Sequence, residues 1–164
     1  MARFSGVWGA GMAILISGSA LAQSDCPAGT EPLPPALAAW SAAPGALSKG
    51  TMLVAGTPAR VALESVSTVR FAAPPEREPK PDSFGGVIGF DVQQAGTWRV
   101  ALSGAGWIDV LVDGKVVPSA AHGHGPACSG IRKIVDFALP AGTYALQISG
   151  AAEDSIDVMV TRAP

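Results

Sequence analysis

The sequence predicts an all-β protein: an antiparallel β-sandwich, jelly-roll-like, with an extended N-terminal arm. Three observations predict it. From Thr51 onward, apolar residues recur at every second position, the period of a strand with one face buried. Gly, Pro and Asp interrupt that pattern roughly every ten residues, the rhythm of sandwich connections. Asp113-Gly114, set between "WIDVLV" and "KVV", has the composition of a two-residue hairpin turn.

The elements follow in order. Residues 1–22 read as a signal peptide: Arg3 gives a basic start, Val7 to Ile16 is an apolar run too short to cross a bilayer, and Ala20-Leu21-Ala22 is a small-residue cleavage site. The mature chain then begins at Gln23, and its expected location is the periplasm or outside the cell. Residues 23–50 form an Ala/Pro-rich arm, with one or two helical turns over Leu37 to Ala43 anchored by Trp40. Residues 51–164 form a single sandwich domain of about nine strands.

"TMLVAG", "ARVALE" and "STVRFA" read as short strands. "APPEREPKPDSFGG", Ala73 to Gly86, cannot be a central strand or a helix, because its prolines lack donors. It is a long surface loop, and long loops are candidates for function. Beyond it the alternation is clean. Ile88, Phe90 and Val92 share a face, as do Trp98, Val100 and Leu102. Ile108, Val110 and Val112 share another, with Trp107, Asp109 and Leu111 opposite. Ile131, Val135, Phe137 and Leu139 follow, then Tyr144, Leu146 and Ile148, then Ile156, Val158 and Val160. The chain also echoes itself: Phe, Ala-Gly-Thr-aromatic and Ile-Asp-Val recur at Phe90, Thr97-Trp98 and Ile108, and at Phe137, Thr143-Tyr144 and Ile156.

Charge bounds the partners. The formal charge of −2 becomes about −3 once Arg3 leaves with the signal, which argues against nucleic acid. No second segment is apolar enough to give the mature chain a membrane span. The two cysteines, Cys26 and Cys128, are expected to form a disulfide in an oxidising compartment. Closing a loop of about a hundred residues is worth about 4–5 kcal/mol in the chain-entropy description.

"WIDVLVDGK", "PAGTYALQI" and "SIDVMV" resemble strand pairs of secreted jelly-roll modules, the galactose-binding-like carbohydrate modules and the bacterial pre-peptidase C-terminal domains. That resemblance implies a β-sandwich. "SFGG", "WIDV" and "HGHGPACSGIRKIVDF" resemble a group of small secreted alphaproteobacterial proteins that carry the label homogentisate 1,2-dioxygenase. That resemblance implies Fe(II) held by two histidines and a carboxylate.

The candidate sites are few. His122 and His124 are the chain's two histidines, spaced so that a strand places both imidazoles on one side, as metal ligands would stand. The nearest downstream acid is Asp136, so a carboxylate for iron has to come from elsewhere, such as Asp109 or Asp113. The plainer reading of Ala121 to Gly130 is a tight loop held by Cys128 and built by its glycines and Pro126. Trp107 beside Asp109 suits a sugar ring, with an aromatic face and a carboxylate, although packing in the core or on the sheet serves Trp107 equally. Asp109 and Asp157, at matching places in the echo, are expected on solvated strand faces. Arg132 and Lys133, next to the histidines, suit an anion, although a solvated strand face is the commoner role of such residues. No serine-hydrolase elbow is present, and no catalytic residue is assigned.

The leading expectation is a non-enzymatic binding or accessory module of the cell envelope without a cofactor. Its ligand, a carbohydrate or another small molecule, is expected at Trp107, Asp109 and Arg132. The alternative is a metal-dependent oxygenase, or a periplasmic metal-binding protein, holding Fe, Cu or Zn at His122 and His124.

Overall fold

The computed structural model describes Cys26 and residues 32–164. The expected signal peptide, its cleavage site and the first residue of the mature chain lie outside the described residues.

The arm enters as a short 3-10 helix, Pro35–Ser41, on the segment where helical turns were expected. Eleven strands follow: β1 (Gly45–Ala46), β2 (Ala59–Ala62), β3 (Glu64–Ser65), β4 (Phe84–Val92), β5 (Gly96–Leu102), β6 (Trp107–Val112), β7 (Lys115–Val117), β8 (Ser119–Gly123), β9 (Lys133–Leu139), β10 (Gly142–Ala151) and β11 (Ser155–Arg162). One sheet has the order β1-β2-β11-β5-β9-β8 and the other β3-β4-β10-β6-β7. All pairings between these strands are antiparallel except the short β1·β2 contact. Set aside the edge strands β1, β3 and β8. What remains is β2-β11-β5-β9 facing β4-β10-β6-β7, the two four-stranded sheets of a jelly roll.

The core between the sheets is the one the alternation points to. Ile88, Phe90, Val92, Trp98, Val100, Leu102, Ile108, Val110, Val135, Phe137, Leu139, Tyr144, Leu146, Ile148, Ile156, Val158 and Val160 all bury there. Each large side chain so buried contributes about 1.5–3 kcal/mol before entropy is subtracted. The echo is structural too. The indole of Trp98 donates to Gln94 O at 3.1 Å, and the Tyr144 hydroxyl donates to Pro140 O at 2.9 Å, each reaching the carbonyl four residues back. Asp113 and Gly114 both take positive φ, 51° and 72°, as the tight hairpin requires.

Several local expectations are corrected. "STVRFA" is no strand: Thr68 and Val69 bond back to Ser65 O in a turn, and the chain stays irregular to Ser83. Its alternation is too short, and the following prolines leave it no ladder partner. "TMLVAG" contributes only a single bridge, Leu53 to Phe90. Val112 is exposed at the end of β6 rather than in the core. Ile131 faces outward from the sandwich, into a second cluster.

That second cluster lies on the outer face of the six-stranded sheet. Met159, Ala101 and Ile134 are register neighbours across β11, β5 and β9, and they form one buried apolar row. Leu37 of the 3-10 helix and Ile131 cover it, with Leu33 and Trp40 partly buried beside them. The arm is therefore a lid on this sheet. The disulfide Cys26–Cys128, spanning 102 positions, ties the start of the arm to the loop between β8 and β9.

Candidate functional site

The outer face of the five-stranded sheet carries the polar counterpart of that apolar row. Asp109 on β6 and Gln147 on β10 are register partners there. Asp109 is only 2% exposed and Gln147 0%, against the expectation that Asp109 sits on a solvated strand face. The cause is the proline-rich loop. Its first residues cross this face, and Gln147 clamps them. The amides of Ala72 and Ala73 donate to Gln147 Oε1 at 3.0 and 3.4 Å, and Gln147 Nε2 donates to Ala73 O at 3.1 Å. The same Nε2 donates to Asp109 Oδ2 at 3.2 Å, and the Trp107 indole donates to Asp109 Oδ1 at 3.0 Å. Both carboxylate oxygens are thus occupied, which is what makes a buried carboxylate tolerable.

Lys133 joins the sheets at this end. From the first position of β9 it reaches across to the β5–β6 turn, donating to Gly106 O at 2.7 Å, with its ammonium 4.8 Å from the Trp107 ring centroid. Burial pushes its pKa below the ordinary lysine value. The charge of Asp109 opposes that shift and the positive charge of Arg77 adds to it. The indole is therefore held at two points, by Asp109 at its nitrogen and by Lys133 over its ring.

Around this floor, three connections enclose a cleft of about 680 Å³. The proline loop supplies Arg77, Glu78, Pro79, Lys80, Asp82 and Ser83. The β5–β6 turn supplies Ala105 and Gly106, and the end of β10 with the first residue of the turn after it supplies Ser149 to Ala152. His122, Gly123, His124, Arg132 and Lys133 form the remaining wall. A smaller cavity of about 170 Å³ opens between the sheets, with Asp109, His122, Lys133, Glu76 and Ser119 among an apolar lining that includes Phe137. Trp107, Arg132, His122 and His124, all chosen from sequence, do meet at the larger cleft, while Asp109 lies beneath it.

The histidine loop is tight, as expected. Cys128 and Gly130 take positive φ, and Ser129 and Ile131 are tied within the loop through Pro126 O and Ser129 Oγ. His122 ends in strand β8, opposite Val135, whereas His124 lies past the strand and donates through Nδ1 to Arg132 O at 2.7 Å. The residues present do not fit the iron chemistry that the resemblance implies. Among the described residues, no three His, Cys, Asp or Glu side chains gather as a ligand set. Asp136 is engaged in a bidentate pair with Arg99 on the neighbouring strand, at 2.7 and 2.8 Å. Asp113 sits at the far end of β6, about 20 Å of strand from Trp107.

Two residues of the site were not singled out in the sequence, Gln147 and Ser149. Their signal was weak: both are polar in the outward phase of β10, which usually means solvent. No family model, curated protein or solved structure matches the chain.

Proposed function

We propose that this protein is an exported, non-enzymatic binding module of the cell envelope, with its ligand site in the cleft between the proline loop and the histidine loop and a carbohydrate as the ligand. The observation that carries the reading is the clamped floor. Trp107, Asp109, Gln147 and Lys133 form a connected floor, and Gln147 pins the start of the long loop beside it. A preorganised cleft of this size, with an aromatic ring and convergent polar groups, suits a small-molecule ligand. Export is supported by the leader-like first residues and by the disulfide, since such bridges persist in oxidising compartments. Among the described residues no helix is long and apolar enough to cross a membrane.

The test is capture of the oxidised mature chain on insoluble peptidoglycan and on immobilised glycans, with the Trp107 indole N–H followed by NMR. The expected result is retention together with a shift of that one resonance, both lost in Arg132→Ala, an exposed change that spares the core. Retention that leaves the Trp107 signal unmoved moves the site elsewhere, and no retention on any polymer overturns the reading. Stoichiometric metal in protein purified from its native compartment, lost in a His122→Ala/His124→Ala double variant, would favour the metal alternative instead.

A further inference from the structure

The binding reading names a carbohydrate but not its charge, and the charged groups around the cleft address that. The chain as a whole is negative, with a formal charge of −2. The cleft has the opposite sign: Arg77, Lys80, Arg132 and Lys133 line it against Glu78 and Asp82, with two histidines besides. None of these four cations is in an ion pair with another described residue; the pairs present are Lys49–Glu64, Arg60–Asp157 and Arg99–Asp136, all elsewhere. An excess of cations around a concavity raises the local concentration of anions.

A second observation is independent of charge. Ser149, on β10 opposite Trp107, is 1% exposed and lines the cleft. Its hydroxyl has no hydrogen-bond partner, alone in this among the buried side-chain polar atoms of the described residues. Buried hydroxyls are normally satisfied, and an orphan at the wall of a cleft is the mark of a partner that arrives from outside. Arg77 and Lys133 also line the same cleft from opposite connections, so an anion bound there would meet both charges.

We infer that the cleft takes an oligosaccharide bearing carboxylates, its acid groups held by Arg77, Lys80, Arg132 and Lys133 and one polar group held by Ser149. This rests on the binding-module reading and names its ligand class. The cleft's volume lies within the range of about 300–1,000 Å³ typical of organic ligands, which argues against a lone inorganic ion.

Calorimetry on the oxidised mature chain tests it with three probes: a uronic-acid trisaccharide, its neutral methyl ester, and inorganic sulfate. The expected result is binding of the acid at least tenfold tighter than the ester, weakening steadily with added salt. Arg132→Ala lowers affinity for the acid about tenfold and leaves thermal stability unchanged. Ser149→Ala also weakens the acid, while its melting temperature holds or rises, which separates ligand loss from misfolding. Equal affinity for acid and ester, failure of both sugars, or sulfate binding as tightly as the acid overturns the inference. The module reading itself falls only if capture on peptidoglycan and glycans fails as well.

Discussion

Replacing Gln147 by Leu tests whether the proline loop is clamped as described. Leu keeps most of the side chain's bulk and removes both ends of its amide. The bonds from Ala72 N and to Ala73 O, at 3.0 and 3.1 Å, are worth about 1 kcal/mol each, and the bond to the Asp109 carboxylate about 1.5–3 kcal/mol. The 3.4 Å contact from Ala73 N adds little. The total is about 3.5–5 kcal/mol, a large part of a typical domain's stability and a fall in melting temperature of about 10–15 °C. The loop's own anchors account for about 2 kcal/mol of this, so its open population rises about thirtyfold before the sandwich unfolds. Limited trypsinolysis reads that population. Arg70 and Arg77 flank the clamp and are exposed, while Lys80 is shielded by Pro81. Cleavage at Arg70 and Arg77 should accelerate by that factor, with the two flanking fragments held together by Cys26–Cys128 until reductant is added and residues 71–77 released where both sites are cut. Unchanged cleavage and an unchanged melting temperature would show that the loop is held by something other than Gln147.

Other consequences follow from the same geometry. Asp136→Ala breaks a bidentate cross-strand pair whose side chains are 19% and 12% exposed, and should cost about 2–4 kcal/mol in urea denaturation. Asp157→Ala breaks the more open Arg60 pair and should cost under about 1 kcal/mol. In an NMR titration of the lysine ammonium groups, Lys133 should deprotonate below the ordinary lysine midpoint. Lys49, bonded to Glu64, should deprotonate above it. For stability the sign is fixed by direction: a lysine whose folded pKa is lowered destabilises the fold while charged, so the Lys133 contribution improves as pH rises through its folded pKa toward 10.5. A Cys26→Ser/Cys128→Ser double variant should lose about 2–5 kcal/mol, measured by denaturant midpoint at constant slope.

The sandwich was legible because its signal is redundant. Each of the six longest strands repeats the two-residue period, and the jelly-roll order places every apolar phase inward, apart from Val112 at a strand end and Ile131 before β9. The disulfide was legible from the two cysteines and the expectation of an oxidising compartment. Trp107, Arg132 and the histidines were legible as an unusual cluster of chemistry near loops. The state of Asp109 was not, because burial of an outward strand position depends on a segment more than thirty residues away in the chain. Gln147 and Ser149 were missed for the same reason: a polar residue in the outward phase reads as solvated until something covers it. Ile131 was assigned to the core because its parity matches Val135, but it precedes β9, where the chain is no longer in register with the strand.

The echo isolates what the covering segment does. Asp109 and Asp157 hold the same place in two Ile-Asp-Val strands, one on β6 and one on β11. Across the ladder Asp157 meets Arg60, whose side chain stays more than half exposed, so the result is a surface ion pair. Across its own ladder Asp109 meets Gln147, and the chain between β3 and β4 passes above. The strand pattern is the same in both cases; only the irregular segment differs. The same carboxylate that is a replaceable surface charge on β11 becomes on β6 a buried acceptor holding Trp107 in place. The proline loop, whose sequence forbids regular structure, is therefore what makes one end of a near-repetitive sandwich a cleft, and ligand selectivity should change with substitutions in that loop far more than with changes to the strands beneath it.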